Sequence, residues 1–153
     1  MSTVNEKLVD IKVSSGNSRA FKSFTKLLGW RFENFLFALA ENFTEQYNGG
    51  MWDAGYFEIA HPTTYFPIPP CDGENFEVCN PNNYYEGTMS PRAYGLAIFM
   101  MALSDYSHND GTTGQNAAKL YHRIRTLVYD SGESSSPESL TVQEVREIAK
   151  FLD

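Results

Sequence analysis

Few side chains in this sequence combine the chemistry and the spacing that metal binding or catalysis requires. His61, His108 and His122 are far apart along the chain, and none has another histidine four residues away. With Cys71 and Cys79 they could offer nitrogen and sulfur ligands to zinc, but their spacing matches no established zinc pattern. We therefore expect no metal site and no resident cofactor.

Known catalytic motifs are also missing from the sequence. It contains no Walker loop, no dinucleotide-binding glycine pattern, no nucleophile-elbow serine and no zincin helix. Asp53 and Glu58 could form an acid–base pair, although carboxylates on strands usually face solvent. Cys71 and Cys79 could lie opposite each other in a hairpin, and in a reducing cytoplasm we expect free thiols. Residue chemistry alone therefore names no reaction.

The size and composition indicate one folded domain. The chain has 153 residues, of which 42% are hydrophobic and 20% charged, and its net charge is −7. This composition favours a packed core over disorder, and the acidic balance argues against nonspecific binding to DNA or to anionic membranes. Residues 1–13 lack a signal-peptide core, and no long apolar run follows. These features predict a cytoplasmic protein without a membrane segment.

Charge is distributed unevenly along the chain. Residues 1–31 have a net charge of +4 and residues 92–153 of −2, whereas residues 32–91 contain nine acidic side chains and no lysine or arginine. Such a stretch could imitate the phosphate backbone of DNA, or its carboxylates could simply face water. The second interpretation is favoured, because a nucleic-acid mimic needs a denser array of charge. The candidate face for a basic partner consists of three carboxylates in this stretch: Asp72, Glu74 and Glu77.

The hydrophobic periodicity predicts a helix first and strands after it. Apolar residues at helical spacing cover residues 24–43, with Ser23 as the N-cap, and Gly49 and Gly50 mark the end. Aromatic and β-branched residues then alternate with turn residues, as in short antiparallel strands. Four strands are predicted: residues 51–59, 65–68, 75–78 and 84–86. The second strand should lie at a sheet edge or end early, because proline cannot donate to a ladder and this segment contains Pro67, Pro69 and Pro70.

Two helices are predicted next. Ser90 caps the first helix and Pro91 takes its first position. Because residues 94–103 are apolar on nearly every side, this helix should be central, and Gly95 within it indicates close contact with a neighbour. The second helix presents an apolar face that consists of Ala117, Leu120, Tyr121, Ile124, Leu127 and Val128. Residues 131–138 are predicted to form a Ser-rich linker.

A last helix completes the predicted fold. Thr141 and Glu144 form its capping box, and its inward face is predicted to be Val142, Val145, Ile148, Ala149 and Leu152. Together the elements predict a single α+β domain over residues 1–153, with one small antiparallel sheet packed against about four helices. Residues 1–20 could form an N-terminal arm.

Four stretches, residues 47–52, 83–95, 105–108 and 121–125, together resemble one known family. The first three follow a Tyr-x-Gly-Gly-x-Trp strand start, a Met-Ser-x-x-Ala-x-Gly helix start and a Tyr-Ser-His step. The fourth resembles a Tyr-x-Arg-Leu-Arg helix, with Ile124 in the place of the leucine. On these motifs, residues 24–130 resemble the ArdB/KlcA family of antirestriction proteins. The matched positions are Tyr47, Gly49, Gly50, Trp52, Glu86, Met89, Ser90, Ala93, Gly95, Ser107, His108, Tyr121, Arg123 and Arg125.

The chain resembles a divergent member of that family. Residues 60–64 replace the usual Ser-Asn-Gly-Gly turn after the first strand, and Asn109 replaces the second histidine of a His-His pair. The Ser-rich linker and the last helix extend past the family's usual short ending. Several matched positions also have structural explanations, since Gly49 and Gly50 end a helix and Trp52 can anchor a core.

The resemblance implies protection of incoming plasmid, phage or other mobile-element DNA from host type I restriction–modification. We expect a non-enzymatic role, in which the basic-free stretch meets the host restriction–modification complex or an associated DNA-processing nuclease, without direct DNA binding. The alternatives are a small metal-dependent or hydrolytic enzyme that uses His108, His122 and a carboxylate, and a structural accessory protein of a mobile element.

Overall fold

The computed structural model of the protein describes residues 11–14, 18–57, 63–131 and 140–153. Within these ranges the chain forms five strands and five helices. The strands are β1 (Ile11–Ser14), β2 (Asp53–Phe57), β3 (Thr64–Ile68), β4 (Phe76–Asn80) and β5 (Tyr85–Met89). The helices are α1 (Ser18–Leu28), α2 (Phe32–Asn42), α3 (Pro91–Tyr106), α4 (Gly111–Ser131) and α5 (Val142–Leu152). The predicted α+β class is confirmed.

The first predicted helix is in fact two helices. α1 already begins at Ser18, and the chain turns at Gly29 before α2 starts at Phe32. The φ angle of Gly29 is +94°, a left-handed conformation that ends helices and that glycine adopts readily. The prediction of one helix over residues 24–43, capped by Ser23, is therefore wrong. Apolar residues keep their helical spacing across Gly29 and so conceal the break.

The strands form two antiparallel sheets, where one was predicted. β1, β2 and β3 form the first sheet in that order, and β4 and β5 form a separate hairpin. Pro69 and Pro70 follow β3, and because proline cannot donate to a ladder, the chain leaves the first sheet there. The predicted edge position of the proline-containing strand is confirmed, since β3 is an outer strand of its sheet among the described residues. The last strand reaches Met89, three residues beyond its predicted end, and residues 58–62 lie outside the described ranges.

α3 lies at the centre of the fold, as its apolar composition predicts. All residues from 93 to 100 are buried, as are Ala102 and Leu103. The predicted cap is confirmed, because the hydroxyl of Ser90 accepts a hydrogen bond from the backbone N–H of Ala93 at 3.2 Å.

Gly95 marks a close approach between α3 and the first sheet. A Cβ atom at this position would overlap the carbonyl oxygen of Pro67 in β3 and lie 3.1 Å from the ring of Pro69. Only a residue without a side chain lets the two backbones meet at this distance. The close contact predicted at Gly95 is thus confirmed, and its partner is the proline-rich edge strand.

Aromatic rings join three other helices to α3. Phe24 of α1 and Phe32 of α2 pack against Phe99 of α3, with ring centroids 4.8 and 5.9 Å away. Tyr94 packs against Phe151 of α5 at 6.5 Å. Such pairs contribute about 0.5–1.5 kcal/mol each beyond the burial of their area, so they fix α1, α2 and α5 around the central helix.

The predicted apolar face of α4 is confirmed. Ala117, Ile124 and Val128 are buried, and the other three predicted residues are half-buried. No helix among the described residues combines the length and the hydrophobicity needed to span a bilayer.

The capping box of α5 is confirmed, but its inward face is partly wrong. The helix buries Glu147, Ile148 and Phe151, whereas Val142 is 57% exposed. Glu147 is turned inward because it accepts a 2.6 Å hydrogen bond from the hydroxyl of Tyr85. The inward face of α5 therefore includes a buried carboxylate with a polar partner, which hydrophobic periodicity did not predict.

The two predicted irregular segments overlap only partly with the described residues. Within the possible arm over residues 1–20, residues 11–14 form β1 and α1 begins at Ser18, while residues 1–10 lie outside the described ranges. The Ser-rich linker over residues 131–138 also lies outside them, except for the last residue of α4.

Replacing Gly95 with leucine should destabilise the protein by about 1–3 kcal/mol, because the new side chain must displace the backbone of β3. Urea unfolding of the purified variant measures the loss. Gln115→Leu, at an exposed position of α4, is the control and should remain within about 0.5 kcal/mol of the parent. A Gly95→Leu protein as stable as the parent would show that α3 does not depend on this contact.

Candidate functional site

A groove of about 660 Å³ lies where the end of α2 meets the β4–β5 hairpin. Its lining residues come from the stretch between residues 32 and 91, which contains no lysine or arginine. Four exposed glutamates line it, and together they are termed the acidic groove: Glu41, Glu45, Glu77 and Glu86.

Local structure brings these four carboxylates together. Glu41 and Glu45 flank the end of α2. In the hairpin, Cys79 pairs with Glu86, so Glu77, on the same face of β4, is a diagonal neighbour of Glu86 at roughly 7–8 Å. Clustered like charges in a groove produce a negative potential that a cationic group would neutralise.

Hydrogen bonds fasten the segment after α2 to the edge of β4. The backbone N–H of Cys79 donates to the carbonyl of Phe43 at 2.9 Å, and the N–H of Glu77 donates to the side-chain oxygen of Gln46. These bonds hold the loop that carries Glu45 against the strand that carries Glu77. The groove is therefore a fixed feature of the fold.

The predicted acidic face is divided in the structure. Glu77 lines the groove, whereas Asp72 and Glu74 lie in the turn between β3 and β4 and are exposed. Asp72 accepts a hydrogen bond from the side-chain amide of Asn48 at 2.5 Å, which ties this turn to the segment before β2.

The partner face predicted from the sequence did not include Glu41, Glu45 or Glu86, which line the acidic groove. Helical spacing could not have identified Glu41 and Glu45 as a pair, because α2 ends at Asn42 and Glu45 lies in the segment after it. No local signal places Glu86 beside them, because that position depends on the register of the hairpin.

The matched positions before β2 form a buried aromatic corner. The indole N–H of Trp52 donates to the hydroxyl of Tyr47 at 2.9 Å, and the two rings meet edge to face. Gly49 and Gly50 between them have φ angles of +83° and +112°, which glycine adopts without strain. These four positions shape the turn that leads from α2 to β2.

The start of α3 is joined to α5 by a carboxylate. Glu144 accepts hydrogen bonds from the hydroxyl of Ser90 at 2.6 Å and from the guanidinium of Arg92 at 2.9 and 2.7 Å. Burial would raise the pKa of Glu144, but the bonds from Arg92, Ser90 and the Thr141 backbone, with the charge of Arg92, outweigh it and lower the pKa. This arrangement is termed the Glu144 clamp.

The matched positions after the end of α3 and on α4 lie elsewhere in the fold. Arg123 donates to the hydroxyl of Thr64 in β3 at 2.5 Å, and the guanidinium of Arg125 lies 5.1 Å from the ring of Tyr129. Ser107 donates to a carbonyl in the last turn of α3. The matched residues thus occupy several elements and are not gathered into one cleft. Of the other matched residues, Glu86 and His108 are exposed, Tyr121 is half-buried, and Met89 and Ala93 are buried.

The potential metal ligands do not converge in the described part of the chain. No group of three or more His, Cys, Asp or Glu side chains there could hold a metal ion, and His61 and Glu58 lie outside it. The two cysteines do not face each other, because Cys79 pairs with Glu86. Both are free thiols, and burial together with the charge of Asp72 raises the pKa of Cys71.

Comparison with known proteins identifies the family. The sequence matches the family model of the antirestriction protein over residues 45–136, more than half of the chain. The chain belongs to the antirestriction protein family.

Two further similarities accompany this match. The chain is 29% identical over 103 residues to the uncharacterized protein YafX of Escherichia coli strain K12, a match that covers 67% of the chain and spans 64% of that relative's length. The solved structure of the KlcA and ArdB proteins matches with a TM-score of 0.66 and 18% identity over 94% of this chain and 95% of that one. Those proteins are described as having a novel fold and antirestriction activity against type I DNA restriction systems in vivo but not in vitro. This likeness shows the same fold.

In this antirestriction-family chain, the last helix lies outside the residues that match the family model. It is nevertheless part of the core, because Phe151 is fully buried and packs against Phe43 and Tyr85. The Glu144 clamp joins it to Ser90 and so to a stretch within the match.

Glu144→Gln should destabilise this antirestriction-family chain by about 1–3 kcal/mol at neutral pH, because the partly buried guanidinium of Arg92 loses its charged acceptor. A carboxyl whose pKa is lowered in the folded state stabilises the fold above its ordinary value of 4.5. That stabilisation is lost as the pH falls through the lower folded-state value.

The difference in unfolding free energy between parent and variant should therefore shrink as the pH falls from about 5 to about 3. Chemical denaturation at each pH measures it, with Glu74→Gln, at an exposed turn position, as the control. A difference that stays constant over this range would show that the charge of Glu144 does not support the fold.

Proposed function

We propose that this chain protects incoming plasmid, phage or other mobile-element DNA from host type I restriction–modification. The observation that carries the proposal is the family match over residues 45–136. The shared fold with KlcA and ArdB, which are described as active against type I systems in vivo, supports it.

The proposed mode of action is protein contact and not catalysis. Three of the matched residues have structural roles. Trp52 donates a hydrogen bond to Tyr47, Ser90 caps α3, and Gly95 lets the backbone of β3 approach α3 closely. Residues with such roles build and hold a surface. They do not bring a nucleophile, an acid and a base within reach of one another.

The acidic groove is the proposed contact surface for a basic partner. Proteins that grip DNA carry clustered lysine and arginine to neutralise phosphates, and the four glutamates of the groove can pair with the same side chains. A groove focuses the electric field of its charges. The proposed partner is therefore the restriction–modification complex or an associated DNA-processing nuclease.

Neutralising the acidic groove should abolish protection. In the variant Glu41→Gln/Glu45→Gln/Glu77→Gln/Glu86→Gln, each side chain keeps its shape and loses its charge, so a basic partner loses its main electrostatic attraction. Plating efficiency of unmodified phage on a type I restricting host should fall toward the level without the gene.

The matched control removes the same number of charges elsewhere. Asp53, Asp105, Asp130 and Asp153 are all exposed outside the groove, and their replacement by asparagine should leave protection intact. The double variant Asp72→Asn/Glu74→Gln tests the rest of the predicted acidic face and should also protect. Full protection by the groove variant, at normal protein level, would refute the groove as the contact surface.

The proposed action should depend on the type of restriction system and on the cellular setting. We expect relief of type I restriction in cells, little relief of type II cleavage, and no retention on DNA at physiological salt. A purified type I enzyme should be inhibited weakly or not at all. Tight inhibition at equimolar protein in the purified assay would instead support direct DNA mimicry, and failure against every type I host would remove the proposed function.

A further inference from the structure

A second groove, of about 610 Å³, lies between α1, α2 and the start of β2. Phe21, Phe37 and Trp52 form its aromatic floor, and Lys22 and Lys26 line its rim. Phe21 and Trp52 are buried in the fold, whereas both lysines are exposed. It is termed the aromatic groove.

The floor of the aromatic groove is already ordered. The rings of Phe37 and Trp52 lie 5.1 Å apart, and those of Phe21 and Phe37 lie 6.3 Å apart. Trp52 is held in addition by its hydrogen bond to Tyr47. A rigid floor binds a ligand without the entropy cost of ordering loose side chains.

Met51 gives the groove an apolar lip. It is 84% exposed, although it lies between Gly50 and buried Trp52. Single exposed apolar residues are common on protein surfaces, but this one adjoins an aromatic floor. The unbranched methionine side chain adapts its shape to a partner, as at other binding surfaces.

The rim has the charge to select an acidic partner. Lys22 and Lys26 are one helical turn apart, so both side chains project from the same face of α1. Neither has an ion-pair partner within the described ranges. Glu33 is the one acidic side chain in the lining, which leaves a positive balance in a chain whose net charge is −7.

We propose that the aromatic groove binds a short segment of a partner protein in which a large apolar side chain is flanked by aspartate or glutamate. The apolar side chain lies over Phe37 and Trp52 and beside Met51. Its acidic neighbours pair with Lys22 and Lys26. This site has the opposite charge preference to the acidic groove, and it does not depend on the proposed antirestriction activity.

The test uses a phage-displayed library of random dodecapeptides, selected on the immobilised full-length chain. We expect the enriched peptides to contain Asp or Glu on either side of a Leu, Phe, Met or Trp. Representative peptides are then labelled, and their affinity is measured in solution by fluorescence polarisation at low and at physiological salt. Affinity should fall as salt rises, because the lysine contacts are exposed and screened.

Two variants and two controls locate the binding. Lys22→Glu/Lys26→Glu should weaken peptide binding by about tenfold or more through charge reversal, and Met51→Asp should weaken it by removing the lip. Lys119→Glu/Arg146→Glu also reverses two charges, and Val142→Asp also places an aspartate at an exposed apolar position; these residues lie outside the groove, and both variants should bind like the parent. Thermal unfolding shows whether each variant is folded.

Three outcomes would overturn the proposal. One is enrichment of peptides without acidic residues, or no enrichment at all. Another is binding that both groove variants retain while folded. The third is self-association of the chain, measured by analytical ultracentrifugation, if the variant Lys22→Glu/Lys26→Glu abolishes it. In that case a second copy of the chain would occupy the groove. Plating efficiency is not part of this test, so its result and that of the antirestriction proposal can be told apart.

Discussion

The backbone of α3 meets the backbone of β3 at Gly95, and much of the architecture depends on this contact. A helix that is apolar around its circumference must be covered on every side, and β3 can cover it closely only where no side chain intervenes. With that side closed, α1, α2 and α5 pack against the remaining faces of α3 through aromatic rings such as Phe99 and Tyr94. The same proline-rich edge then directs the chain out of the first sheet and into the separate hairpin.

α2 and the segment that follows it connect the two grooves. Glu33 and Phe37, in the first half of α2, line the aromatic groove, while Glu41 near its end lines the acidic groove. The following segment repeats this arrangement, since Glu45 belongs to the acidic groove and Trp52 to the aromatic one. α2 and the segment after it thus separate a groove lined by four glutamates from a groove with two lysines on its rim.

Much of the fold was predictable because it rests on local rules. The cap at Ser90, the capping box at Thr141, the central position of α3 and the edge position of β3 follow from propensity, periodicity and the missing N–H of proline, and the structure confirms each. The break at Gly29 was missed because apolar spacing continues across it. The inward turn of Glu147 was missed because its partner, Tyr85, is distant in sequence.

The sequence by itself determined the fold class, the family resemblance and the uneven charge, since these depend on residue types and on spacings of a few positions. Only the tertiary structure decided that the strands divide into two sheets and that Asp72 and Glu74 stand apart from the groove that Glu77 lines. It also decided that Glu86 joins Glu41 there. The physical reason is that strand register and helix packing are set by contacts between residues far apart along the chain, which no local pattern of side chains records.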